Sequence, residues 1–140
     1  MIDFISDKFT EIASKCLEKK GKEQGALKKD MQLVFKLSES EDGIDYLIYK
    51  NFKPIEVLTF LQVLGVKIDF KGYSLFVPKF IKGALNRFCE SDNIERQNVR
   101  VILTFDERNE MIIWVYNSNQ FVKQVAFESL FNGEDILTET

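Results

Sequence analysis

VRVILTFDERNEMIIWVYN, residues 99–117, is the stretch whose reading decides the architecture of this chain. Val99, Val101, Leu103 and Phe105 alternate with Arg100, Ile102 and Thr104, and a period of two is the mark of a strand with one buried face. DERNE (106–110) has turn composition, and MIIWVYN (111–117) returns with the β-branched and aromatic residues that suit a pleated surface. An antiparallel hairpin is predicted. Its second strand is apolar on both faces, with Ile112, Trp114 and Tyr116 on the alternate side. Such a strand is either central and covered twice, or it offers one face to a partner.

The same periods recur outward from this hairpin. Phe80, Ile81, Ala84, Leu85 and Phe88 share one face of a helix predicted over 78–91, with Lys79, Lys82, Asn86 and Arg87 opposite and Pro78 suited to its first turn. VKIDF (66–70) and YSLFV (73–77) read as strands joined at Lys71-Gly72. IEVLTFLQVLG (55–65) is apolar on nearly every side and, behind Pro54, reads as an interior helix; the alternative is a strand, because Val57, Thr59 and Val63 are β-branched. MQLVFKL (31–37) and DYLIYKNF (45–52) flank an acidic turn and predict another hairpin.

At the N-terminus Ile2, Ile5, Phe9, Ile12, Ala13, Cys16 and Leu17 line one face of a helix over 2–20, with Gly21 as its expected stop. FVKQVAFESLF (121–131) fits a strand through Phe127, a helix being the alternative, and the acidic tail 133–140 is expected to fray. The chain thus reads as helix then hairpin three times. The expected product is one α+β domain over 1–132: a mostly antiparallel sheet built from hairpins, with about three α-helices on one face.

With 140 residues, 45% apolar and 29% charged, the composition is that of a globular domain able to bury one core without staples. A net charge of -3 argues against a polyanion mimic or a generally basic nucleic-acid binder. Charge is nonetheless segregated. No acid falls between Asp69 and Glu90, so residues 71–88 combine Lys71, Lys79, Lys82 and Arg87 with Tyr73 and Phe76. Such a mixture can meet phosphates and stack on bases. Four charges are a small footprint, however, and Phe80 and Phe88 belong to the apolar helix face. A solvated face of a core helix explains the stretch first, protein docking second and nucleic acid third.

Cys16 and Cys89 sit in apolar helical patterns with neither staple nor metal spacing, which suits a reduced, cytoplasmic setting. Asp3, Asp7 and Glu11 interrupt the N-terminal apolar pattern, so no signal peptide, span or membrane association is expected. The excess of Lys over Arg and the many Phe and Asn residues suit an AT-rich bacterial or phage genome.

Histidine is absent. That removes the usual proton shuttle near neutral pH and the Ser-His and Cys-His nucleophile pairs. Acids cluster at Glu39, Glu41, Asp42 and Asp45 and again at Asp106, Glu107 and Glu110, but Ser38, Ser40 and Tyr49 break the calcium-loop register. Phosphate-cradling glycine patterns are missing, and no cofactor or metal is expected. Thirteen Phe, four Tyr and one Trp are many rings for one small core. Phe4, Phe60, Phe76, Phe127 and Phe131 lie off the cleanest apolar stripes, and surplus rings are what a docking surface needs as anchors.

The expectation is a non-enzymatic protein-interaction module, of the inhibitor, immunity or chaperone kind. Its expected contacts are Trp114, Tyr116 and Ile112, with Lys79, Lys82 and Arg87 steering a partner's acidic surface. A second copy of the chain is an alternative partner. A nucleic-acid accessory protein using 71–88 and a small carboxylate- or metal-dependent enzyme are the alternatives of other classes.

Overall fold

The computed structural model describes residues 2–38, 43–65 and 73–131, with the backbone alone for 2–7, 73–76 and 131. The described strands are β1 (Met31–Leu37), β2 (Ile44–Lys50), β3 (Lys53–Leu58), β4 (Val99–Phe105), β5 (Met111–Asn117) and β6 (Gln120–Val125). The described α-helices are α1 (Ile2–Gln24), α2 (Phe60–Leu64), α3 (Tyr73–Asp92) and α4 (Glu128–Phe131), and a 3-10 turn, Lys28–Asp30, leads into β1. All strand pairs are antiparallel, in the order β3-β2-β1-β4-β5-β6. The α+β class, with helices on one face of the sheet, is as the periodicities predict.

The 99–117 hairpin forms in the expected register, with Val101 opposite Val115 and Leu103 opposite Ile113. Its turn is closed by Asp106, whose Oδ1 accepts the backbone N–H groups of Arg108 and Glu110 at 2.8 and 2.9 Å. Met31, Leu33, Phe35 and Leu37 of β1 and Val99, Val101, Leu103 and Phe105 of β4 point into one core with Ile12, Leu17, Ile81, Leu85 and Leu130 from the helices. Each large apolar side chain fully buried there stabilises the fold by about 1.5–3 kcal/mol.

Several elements depart from the sequence-based reading. Gly21 does not end α1. The helix runs on to Gln24 and stops at Gly25, whose φ of 63° lets the Ala26 N–H reach the Gly21 carbonyl at 2.8 Å. Gly21 is needed for another reason: a Cβ there would lie 2.9 Å from the Ala26 oxygen.

The helix predicted from Pro54 is instead strand β3 followed by the short α2. Pro54 is tolerated because β3 is an edge strand with a register shift opposite Ile48/Tyr49. YSLFV is not a returning strand but the start of α3, which begins at Tyr73 and holds Pro78 in its interior rather than at its first turn. VKIDF lies outside the described residues, as does the tail 133–140. Residues 121–131 divide between β6, which ends at Val125, and α4.

The repeat is therefore twofold, not threefold. Helix, three-strand meander and short helix occur once as α1-β1-β2-β3-α2 and again as α3-β4-β5-β6-α4. The sheet order is mirrored about the central pair, where Val34 faces Ile102. Residues match at one constant offset through the outer strands: Ile44 with Met111, Tyr49 with Tyr116, Lys53 with Gln120. Even the bulges coincide, at Ile48/Tyr49 and at Val115/Tyr116.

Candidate functional site

Because side chains alternate across a strand, the residues between those of the core point to the face that no described helix covers. On the central strands these are Gln32, Val34, Ile102 and Thr104, and all four are buried although they stand outside the helix-side core. Polar members of this row are satisfied. Gln32 Oε1 accepts the Phe52 N–H at 2.8 Å, and Thr104 Oγ1 donates to the Met31 carbonyl at 2.8 Å.

Aromatic rings gather beside Ile102. Ile102 lies opposite Trp114, and the Phe52 ring reaches across from the β2–β3 turn to stand 5.7 Å from the Trp114 ring. Tyr116 meets Phe121 edge-on at 5.9 Å. A cleft of about 530 Å³ opens beside them, lined by Tyr49, Phe52, Arg100, Ile102, Tyr116 and Asn119. Arg100 is anchored at its rim by hydrogen bonds from Nη1 to the carbonyls of Gln97 and Val99 at 2.8 and 3.0 Å.

Phe52 is the residue least explained by folding. Asn51 and Phe52 both have positive φ, 50° and 64°, which is the signature of a tight hairpin turn that favours Asn and Gly. A bulky side chain with that backbone is strained by about 1–2 kcal/mol. It is also 48% exposed. The matching turn of the second half, Ser118-Asn119, uses two small polar residues. The second half makes the matching turn without a ring.

The structure brings Ile112, Trp114 and Tyr116 together on this face, each half-buried. It does not bring Lys79, Lys82 and Arg87 to them. Those residues ride on α3, whose Val77, Ile81 and Leu85 pack on the opposite side of the sheet. Lys79 is exposed, Lys82 is half-buried, and Arg87 donates from Nη2 to the Ser129 carbonyl. Tyr73 and Phe76 begin α3, with side chains outside the described residues. Sequence reasoning missed Phe52, Tyr49 and Phe121. The available signal was an aromatic residue directly after Asn51 in a turn.

Two of the surplus rings belong to the core. Phe60 lies 5.4 Å from Tyr46, and Phe127 stacks on Phe9 at 6.1 Å. The side chains of Phe4, Phe76 and Phe131 are outside the described residues. So are Glu39, Glu41 and Asp42 of the first acidic cluster, while Asp106 of the second closes its own turn. Among the described residues no group of three or more acids or cysteines is placed to hold a metal ion. Burial pushes the Cys16 thiol up to about 11 and raises that of Cys89 as well, the opposite of what a nucleophile needs.

No described helix is long and apolar enough to cross a membrane. No family model, curated protein or solved structure matches the chain.

Proposed function

We propose that this protein acts by docking a protein partner against the sheet face that carries Phe52 and Trp114, which no described helix covers, without catalysis of its own. Phe52 carries the reading. An exposed ring held in a strained turn and tilted against Trp114 at 5.7 Å gains little net stability for the fold, and strain of this kind marks functional positions. Tyr49, Tyr116 and Phe121 widen the aromatic surface around it, and Arg100 adds a fixed cation at the rim of the cleft. Aromatic anchors with an arginine are the composition of binding hot spots. The absence of histidine and the raised Cys16 thiol add support. An inhibitor, an immunity protein or a chaperone would each work in this way.

The test is photocrosslinking through Phe121→p-benzoylphenylalanine in the native host. A light-dependent adduct with one protein, lost on adding Phe52→Asp or Trp114→Ala, is the expected result. A self-adduct together with a dimer in sizing assigns the face to a second copy. No adduct from a monomeric protein overturns the proposal. The basic stretch 71–88 draws less support as a nucleic-acid surface, since Arg87 is engaged by α4.

A further inference from the structure

The twofold repeat provides an internal control for deciding which surface residues the fold needs. Positions matched between α2 and α4 keep their core character: Phe60 corresponds to Phe127, and Val63 to Leu130. Their solvent positions do not agree. Leu61, 70% exposed, stands where the second half has Glu128. The two short helices are also seated differently. Arg87 of α3 ties α4 down at the Ser129 carbonyl, whereas the matching Gln62 of α2 closes a capping box with Thr59. Between α1 and α2 a groove of about 530 Å³ is left open.

Its floor is apolar, made by Ile12 and Cys16 of α1 with Leu58, Leu61 and Val63. Its rim is basic. Lys8, Lys15 and Lys19 project along α1, and among the described residues that line the groove the one carboxylate is Glu11. Lys15 and Lys8 share that carboxylate at 3.0 and 3.7 Å, and Lys19 is in no ion pair among the described residues. Lys20, also on the rim, is taken by Glu56 at 2.9 Å and by Glu23. The Lys15–Glu11 pair is exposed and screened by solvent, so incoming carboxylates can replace it at little cost.

We infer that the α1–α2 groove is a second docking site, made for an acidic, amphipathic segment of a partner protein. Apolar side chains of that segment cover Leu61 and Leu58, while its carboxylates meet Lys8, Lys15 and Lys19. This surface lies on the opposite side of the sheet from Phe52 and Trp114, and the inference stands whether or not the Phe52 face docks a partner.

Two fluorescein-labelled peptides of about 14 residues test it, both built from Leu and Glu, one spaced for a helix and the other alternating for a strand. Their Lys-for-Glu counterparts serve as controls. Fluorescence anisotropy with the full chain is expected to show saturable binding of at least one acidic peptide and of neither basic one. Binding should weaken at about 0.5 M salt, and Leu61→Glu or Lys15→Glu/Lys19→Glu should weaken it by about tenfold or more. Phe52→Asp should leave it unchanged, which separates this site from the Phe52 face. Leu61 and the lysines are solvent-facing, and an unchanged melting curve confirms that each variant folds. No saturable binding, equal binding of the basic peptides, or insensitivity to both Leu61→Glu and Lys15→Glu/Lys19→Glu overturns the inference. So does a dimer in sizing that Leu61→Glu dissociates, since the groove then belongs to a second copy.

Discussion

At the scale of single residues, the sheet face that no described helix covers shows how buried polar groups are satisfied. Thr104 sits at 4% exposure with its hydroxyl on the Met31 carbonyl, so Thr104→Val keeps the shape and removes the bond. A loss of about 1 kcal/mol in urea unfolding is expected. Phe52→Gly should behave differently. Relief of the left-handed backbone, about 1–2 kcal/mol, offsets loss of the ring contact with Trp114, about 0.5–1.5 kcal/mol. Stability then changes by less than about 1 kcal/mol while the Phe121 photo-adduct disappears. Cys16 adds a pH dependence. Burial lifts its thiol from the ordinary 9.0 to about 11, so the folded chain keeps a proton that the unfolded chain releases. Its contribution is fully present below pH 9 and is lost as pH climbs toward 11. Urea midpoints of the parent chain should therefore fall more steeply over that window than those of Cys16→Ala.

At the scale of elements, α2 is the one most dependent on local chemistry. It has five residues, and Thr59 and Gln62 close its capping box: Thr59 Oγ1 accepts the Gln62 N–H at 3.2 Å, and Gln62 Oε1 accepts the Thr59 N–H at 2.8 Å. Thr59→Ala is expected to cost about 1 kcal/mol, read as faster hydrogen exchange at the amides of Val63 and Leu64. Binding of the acidic peptide should fall with it.

That box was legible as Thr-x-x-Gln, yet Pro54 and the all-round apolarity of 55–64 pull a sequence reading toward a longer helix. Edge placement, which no local pattern records, is what lets Pro54 stand in β3. YSLFV failed in the same manner. Its β-favouring residues were outweighed by continuity with the amphipathic 78–91 segment, and α3 absorbed them despite Pro78. In contrast, β4 and β5 were fully readable, because alternation, turn chemistry and strand propensity agree over 99–117.

At the scale of the molecule, the two halves meet where β1 pairs with β4, and their helices share one core. Leu33 and Leu103 face each other across that seam, both at 0% exposure. Leu33→Ala should cost about 2–5 kcal/mol. Although the substitution lies in the first half, the Trp114 fluorescence transition in the second half should shift as far as the circular-dichroism transition. Separate transitions would show that the halves unfold independently.

The sequence by itself determined the helix-side core of α1, β1, β4 and β5, the 99–117 hairpin, and that histidine chemistry is excluded. Those properties depend on period and composition, which are written along the chain. Tertiary structure alone decided that Lys79, Lys82 and Arg87 lie across the sheet from Trp114, and that Phe52 comes to rest on that ring. Only the sheet order could decide this, since strand pairing between distant segments sets which side chains share a face.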